Sequence, residues 1–425
     1  MIGLRTHAKR AFQREVQGIR ERGYPASPKE VHAWYAVVPP EENAALGILK
    51  ANEFYVEPGT NEQRSLSDRL VLGEPLPPKL AGAIASMVER NGEALAEVNK
   101  AVQLPNSRYP IDLRDGFATL LPHLTHVKRM AELLKWEAIY HSARSNRTNA
   151  LRGVESGFLL AASLKDEPVE VSALMRISCL RMALSALERV VTEQRLTESE
   201  IDRFLVLARA ADEHSILALK RGLLGQRGAT LPIFNMSHRE LRASLGIPPS
   251  RAVNLQEIAE SIRTDTRGLL RGHRRDPFFY LARMREVETA LEMDVAEMVR
   301  EAERIDGGEE RGLLLCFSES EFIASSLPEF SNAMTKTALL MAQIRCVSLA
   351  LEVEKLRLRN NGEIPKPEEL PKQIAEIPKD PVDNELITFE LLDSGYQVGA
   401  RAATALKKSR SGSTNFVPIA FRVLR

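Results

Sequence analysis

The sequence is poor in the features that usually indicate a disulfide framework, a zinc site or a membrane segment. It has only three cysteines in 425 residues, Cys179, Cys316 and Cys346, and no two of them form a CxxC pair. This spacing excludes a disulfide framework and a zinc ribbon, so we expect the three thiols to be small buried apolar groups. No stretch approaches the ~18 uninterrupted apolar residues of a membrane span.

Aromatic residues and net charge are also scarce. Phe, Trp and Tyr make up 5% of the chain, and 58 Lys and Arg balance 57 Asp and Glu, for a formal net charge of +1. Nucleic-acid-binding proteins usually carry a basic excess, and those that bind single strands use aromatic stacking platforms. The composition therefore disfavours nucleic acid as a partner.

The usual signatures of catalysis and cofactor binding are absent as well. The sequence contains no GxSxG, HExxH, P-loop, GxGxxG or EF-hand pattern, each of which supplies a nucleophile, metal ligands or a phosphate cradle. We assign no catalytic, cofactor-binding or metal-binding residue from the sequence, and we expect no cofactor.

What the chain does contain is helical periodicity over most of its length. Hydrophobic residues make up 44% and charged residues 27%, which is typical of a folded globular protein. We predict a mainly α fold, an irregular stack of helical hairpins with a small α+β C-terminal tail. The predicted domains are an N-terminal helical segment with an irregular linker (1–78), a helical-hairpin body (79–327), and a long helix plus small sheet (328–425).

The N-terminal segment carries clear helix-boundary signals. Gly23 should end a helix over residues 1–23, and Ser27-Pro28-Lys29-Glu30 reads as a capping box with proline at the first helical position. Another helix is expected from Glu41 to Ala51. Prolines and glycines within 54–78 predict an irregular connection there.

The body shows apolar stripes and caps. Residues 131–164 predict a helical hairpin with its turn at 145–149, similar to a single tetratricopeptide-type unit. The ~34-residue period of such repeats does not recur, so a regular solenoid is not expected. Thr197 should cap the next helix. A further helix should start at Asp276-Pro277 and end at Gly307-Gly308.

The C-terminal part changes from helical to strand periodicity. A long helix from Pro328 to Asn360 carries an apolar arc wide enough for burial on more than one side. Ile387, Phe389 and Leu391 alternate with polar residues, as strands do. We expect residues 362–425 to form a small sheet packed on that helix.

Three further features complete the predicted tail. A second strand is expected over Tyr396–Ala400, and a basic Ser/Gly-rich loop over 407–413. A last strand should run from Phe416 to Leu424, and Pro418 favours an edge position for it.

Two groups of residues are candidate chemical sites. His123 and His126 lie three apart on a predicted helix, with Glu132 as a weak third ligand, but polar helix surface is the favoured interpretation over a metal site. Asp112 and the neighbouring Arg114 and Asp115 are interpreted as an ion pair or cap rather than a catalytic carboxylate pair.

Two further segments each allow a binding interpretation and a purely structural one. Residues 237–248 superficially resemble the start of a helix-turn-helix, although Pro248-Pro249 weakens that interpretation. Residues 267–275 form a basic run, which is either a solvated helix end or a contact for phosphate or acidic lipid.

Two stretches resemble a group of helical proteins from planctomycete- and verrucomicrobium-type bacteria that has no established activity. The first, 108–190, carries RYPIDLRDG at 108–116, LLPHL at 120–124 and AASLKDEP at 161–168. The second, 342–398, resembles the globular part of type II secretion pseudopilins. The resemblance implies a helical body with a small α+β tail, often behind an N-terminal membrane anchor.

The tail departs from the pseudopilin pattern in one respect. Lys407-Lys408-Ser409-Arg410-Ser411-Gly412 stands where such tails often carry an acidic, calcium-capable loop. Oxygen ligands are missing from it, so a calcium site is not expected.

The N-terminus leaves the location of the protein open. Basic residues from Arg5 to Arg14 follow a short apolar stub, as they do beside a membrane anchor. Leu4, Ala8, Phe12 and Val16 fit an ordinary amphipathic helix equally well.

The features together favour a non-enzymatic protein-interaction or scaffold protein, with a protein partner of unknown identity and membrane association through an N-terminal anchor outside this sequence. The alternative is a hydrolase or other enzyme with a non-local site between helices. A DNA-binding regulator is the third hypothesis.

Overall fold

The computed structural model of the chain confirms a mainly α fold with one small sheet. It describes residues 2–67, 70–236, 240, 276–307, 330–411 and 418–424. The α-helices are α1 Ile2–Glu21, α2 Pro28–Trp34, α3 Ala44–Glu53, α4 Thr60–Leu66, α5 Pro78–Arg90, α6 Gly92–Ala101, α7 His123–Ala143, α8 Arg147–Ala162, α9 Glu170–Glu193, α10 Glu198–Thr230, α11 Asp276–Ala290, α12 Val295–Gly307, α13 Phe330–Arg359, α14 Leu370–Gln373 and α15 Arg401–Ser411. The strands are β1 Thr388–Leu392, β2 Gly395–Gly399 and β3 Ala420–Leu424, and 3₁₀ turns cover Pro40–Glu42, Leu113–Ala118 and Leu231–Asn235.

The N-terminal boundary signals act largely as predicted. The Ser27 side chain accepts the Glu30 N–H at 3.3 Å, and Pro28 opens α2. The Glu30 carboxylate accepts the N–H of Ala26 instead of that of Ser27, so the capping box is displaced by one residue. The prediction of an irregular connection over 54–78 is wrong at 60–66, because α4 forms there with Gly59 and Glu62 completing its first turn.

Helical hairpins build the body, as predicted. Helices α7 and α8 pack antiparallel across a turn at 144–146, and both pack on α9. Asn146 caps α8 by accepting the Asn149 N–H. Thr197 and Glu200 form a reciprocal capping box at the start of α10.

One predicted helix is two helices. Residues 276–307 are divided between α11 and α12 by the turn Leu291–Asp294. Asp294 accepts the Glu297 N–H at 2.8 Å, so its side chain starts a new helix instead of continuing the old one.

Helix α13 is buried on several sides, as its wide apolar arc predicts. Cys346 and Leu349 on one stripe and Ile344 and Val347 on the other are all fully buried. The helix ends where Asn361 and Gly362 adopt positive φ, and the Gly362 N–H bonds back to the carbonyl of Arg357 at 2.8 Å.

The tail forms an antiparallel sheet of order β1-β2-β3 that packs on α13 and α9. Strand β3 lies at an edge, as Pro418 predicts. The predicted basic loop at 407–413 is wrong for 407–411, which belong to α15. Alanine and leucine favour a helix over 401–406, and a buried carboxylate, that of Asp380, accepts the Ala403 N–H in its first turn.

Buried apolar side chains from α2 to β3 form one cluster, which runs from Val31 to Val423. A second cluster gathers α11, α12 and the start of α13 around Ile19. Cys179 and Cys346 are free and buried. Among the described residues, none of the helices combines the length and apolar content needed to cross a bilayer.

Several predictions fall outside the described part of the chain. They concern Cys316, the helix-turn-helix-like segment 237–248 (Glu240 apart), the basic run 267–275, and the side chains at the start of α1.

Candidate functional site

The three motifs of the first family-like stretch meet inside the body. Tyr109, from the first motif, stacks on the ring of His123, from the second, with centroids 4.5 Å apart. The Tyr109 hydroxyl lies 2.8 Å from Ser163 Oγ, and His123 Nε2 lies 3.0 and 3.1 Å from the two oxygens of Glu167. Ser163 and Glu167 both belong to the third motif. We call Tyr109, His123, Ser163 and Glu167 the buried network.

Local structure places each member of the network. Pro122 precedes the first residue of α7, which is His123. Glu167 lies in the short link between α8 and α9, where it also accepts a hydrogen bond from Ser172 Oγ at 2.5 Å. The hydroxyl of Tyr35, just beyond α2, accepts the N–H of Tyr109 at 2.9 Å. The network thus ties α2, α7 and the α8–α9 link together.

The network is closed to solvent. Tyr109 is 0% exposed, Glu167 1% and His123 2%. Burial raises the pKa of Tyr35 and of Tyr109, and the nearby charge of Glu167 raises both further, so both phenols stay protonated. His123 Nδ1 is buried and has no hydrogen-bond partner within the described residues. Acid–base chemistry needs contact with a substrate, whereas these side chains are buried among the described residues and their geometry suits positioning.

The interpretation of His123 and His126 as polar helix surface is wrong for His123. Its partner Glu167 lies 44 residues further along the chain, so local spacing gives no sign of the pair. His126 is partly buried, and desolvation, together with the charge of Arg129, lowers its pKa. Within the described residues, no group of three His, Cys, Asp or Glu side chains is placed to hold a metal ion.

The Asp112 prediction is confirmed. Its carboxylate pairs with the Arg114 guanidinium at 2.5 Å and accepts the Arg114 N–H at 3.0 Å, so it is both ion pair and cap. The hydrogen bond from Arg114 lowers the pKa of this exposed carboxyl. Gly116, at φ +63°, closes the turn where a Cβ would lie 2.9 Å from the carbonyl of Ala229 on α10.

A surface cleft of about 530 Å³ lies beside the buried network. We call it the Trp34 cleft. Its floor is one face of α10, which carries His214, Leu217 and Arg221. One wall is Tyr24 and Trp34, and the other is Lys165-Asp166 of the α8–α9 link. Both walls adjoin the network, because Trp34 precedes Tyr35, whose hydroxyl accepts the Tyr109 N–H, and Asp166 precedes Glu167.

Arg221 joins the two walls of the cleft. Its Nε donates to the carbonyl of Asp166 at 2.6 Å, and its Nη2 donates to the carbonyl of Trp34 at 2.8 Å. Its guanidinium lies 4.5 Å from the centre of the Trp34 ring, a cation–π distance. Tyr24 packs edge-on against Trp34, with centroids 6.4 Å apart.

Glycines on α10 allow the Lys165 wall to sit directly on the helix. A Cβ on Gly225 would lie 2.0 Å from the carbonyl oxygen of Pro168, and a Cβ on Gly222 would lie 3.0 Å from that of Val169. No side chain fits at Gly225 without moving backbone. The α8–α9 link is therefore held by the hydrogen bonds of Glu167 in the buried network and by its close packing on α10.

Sequence reasoning missed the cleft. Lys165 and Asp166 lie in the family-like stretch AASLKDEP, which carries no sign of a cleft, while Trp34 and Arg221 lie in no motif. One signal was present, the spacing of three residues between Gly222, Gly225 and Gly228, which marks a close approach on one face of α10.

Comparison with family models, with curated proteins and with solved structures finds no match to this chain.

Proposed function

We propose that the protein is a non-enzymatic interaction or scaffold protein that docks a segment of a partner protein in the Trp34 cleft. One observation carries the proposal. The cleft presents aromatic, apolar and cationic side chains on a rigid frame, whereas the acid–base groups of the buried network are shut away from solvent.

The chemistry of the lining supports protein binding. Leu217, an apolar residue that lines the same cleft as Trp34, is 60% exposed. Tryptophan, tyrosine and arginine dominate the energetics of protein interfaces, and all three line this cleft. Its volume falls within the range of ~300–1,000 Å³ that suits a bound group.

Rigidity favours the same use. The Trp34 and Asp166 carbonyls are fixed by a single side chain, Arg221, and the link behind them is fixed by Glu167. A preorganised surface loses little conformational entropy when it binds.

Association with the cell envelope forms a second part of the proposal. It is supported by the basic residues from Arg5 to Arg14, all of which belong to α1. Fractionation of the native organism tests it, since recovery wholly in the soluble fraction contradicts an envelope location.

Photocrosslinking tests the docking site. Benzoylphenylalanine replaces Leu217 in the cleft or, as a matched control, Val206, which is 67% exposed on the same helix and lies outside the cleft lining. We expect Leu217 to give a discrete crosslinked partner in native cells, suppressed by excess unlabelled protein. The same products from both positions, or none from Leu217, would overturn the proposal.

A further inference from the structure

We infer that the occupant of the Trp34 cleft is an acidic segment of a partner protein, in which carboxylates flank an apolar side chain. The inference rests on the proposed function and adds the chemical class of the partner.

Two cations that line the cleft have no carboxylate partner among the described residues. Arg221 donates Nε–H and one N–H of Nη2 to backbone carbonyls, which carry no net charge. Its positive charge is therefore not neutralised, and its Nη1 donors stay free for a ligand. Lys165 makes no ion pair within the described part of the chain. Lys220, by contrast, pairs with Glu292.

The balance of charge in the lining favours an anion. Because Lys220 is paired with Glu292, two unpaired cations, Lys165 and Arg221, face a single acidic residue, Asp166, in the described lining. An arginine guanidinium with free N–H groups binds a carboxylate through two parallel hydrogen bonds, and such charge-assisted bonds are about twice as strong as neutral ones.

The floor of the cleft requires an apolar group beside that carboxylate. Leu217 is exposed one helical turn from Arg221, and the Trp34 ring forms the adjacent wall. An acidic segment with an interleaved phenylalanine or leucine covers both, whereas a purely acidic one leaves Leu217 in water.

Dimensions favour a peptide over a single small molecule. The floor runs from His214 to Leu224 along α10, a rise of roughly 15 Å at ~1.5 Å per residue. An extended chain covers that length with four or five residues at ~3.3 Å each.

Fluorescence polarisation tests the inference. The probe is a fluorescein-labelled peptide of alternating glutamate and phenylalanine, titrated with the full chain, and the comparison peptide has glutamine in place of glutamate. We expect the acidic peptide to bind about tenfold more tightly, with an affinity that falls as salt rises.

Charge reversal assigns the binding to the cleft. Lys165→Glu should weaken the binding of the acidic peptide by about tenfold. Lys100→Glu, on the exposed face of α6, should leave the affinity for that peptide unchanged. Equal binding of the two peptides, or equal effects of the two substitutions, overturns the acidic class. Partner crosslinking at Leu217 then decides separately whether the cleft still docks a protein.

Discussion

The buried polar groups of the helical body and of the C-terminal tail are satisfied in different ways. In the body, His123 and Glu167 depend on each other across 44 residues of sequence, and His123 Nδ1 has no further partner in the described residues. In the tail, Asp380 accepts backbone N–H groups from Val382 and Ala403, at 3.0 Å each.

Buried polar side chains at the contact between the tail and α13 have more than one partner each. The Tyr396 hydroxyl lies 3.0 Å from both the Ala350 carbonyl and Glu354 Oε1, and Glu354 is paired with Arg357 as well. Backbone donors and acceptors are fixed by secondary structure, whereas a side-chain pair is lost when either member changes. We therefore expect the body to be the region more sensitive to single polar substitutions.

Removal of residues 363–425 should have the largest effect of all. The tail covers the buried arc of α13, and Tyr396, Val398 and Phe421 pack within the same apolar cluster. The truncated chain should expose this surface and aggregate, as judged by size-exclusion chromatography. A truncated chain as soluble and heat-stable as the full one contradicts this packing.

Gly225→Ala should be the most damaging point substitution in the body. The new methyl group meets the Pro168 carbonyl at 2.0 Å, so we expect a loss of about 3 kcal/mol in the free energy of unfolding by urea denaturation. Gly82→Ala on α5 is the matched control, because no atom lies within 4 Å of its Cβ. It should stabilise the chain by about 0.5–1 kcal/mol.

Glu167→Gln and Tyr396→Phe compare the two regions directly. The first removes a carboxylate that binds His123 and Ser172 and should cost about 2–3 kcal/mol. The second leaves Glu354 its pair with Arg357 and should cost about 1 kcal/mol. Equal losses in urea denaturation would remove the distinction between the regions.

The last effect depends on pH and concerns the contact between α9 and β3. Burial raises the pKa of Glu188 to about 7, against the lowering effect of the Arg422 N–H that it accepts. Because the folded pKa lies above the unfolded value, its stabilising contribution is complete below about pH 4.3 and is lost as pH rises through about 7.

Glu188→Gln removes that dependence. The variant should match the unsubstituted protein near pH 4.5 and exceed its unfolding free energy by about 1–2 kcal/mol at pH 8. Thermal melting at both pH values measures the difference. Glu93→Gln, on the exposed surface of α6, is the control, and a pH-independent difference for Glu188→Gln contradicts the raised pKa.

The sequence predicted elements whose signals are local. The cap at Thr197, the end of α13 at Asn361-Gly362 and the strand around Phe389 each depend on neighbouring residues, and each appears in the structure. The burial of that strand does not alternate, since Leu391 is exposed. Helix α15 was missed because its basic end looked like a loop, and its capping carboxylate, Asp380, lies 23 residues before Ala403.

The candidate site could not be predicted from local sequence patterns, because its residues are also far apart along the chain. The motifs around Tyr109, His123 and Glu167 were visible, but nothing in their spacing shows that they share one buried network. Trp34 and Arg221 are 187 residues apart and meet only through the packing of α2 on α10.

The chain holds two tryptophans, and the fold gives them opposite surroundings. Trp136 is 6% exposed inside the α7–α8 hairpin, while Trp34 forms a wall of the cleft under the guanidinium of Arg221. Trp34 can therefore serve as a fluorescent reporter of binding in the cleft, with Trp136 as the internal reference. A molecule that enters the cleft should shift the emission of Trp34 to shorter wavelength by displacing water, and the emission of Trp136 should stay constant.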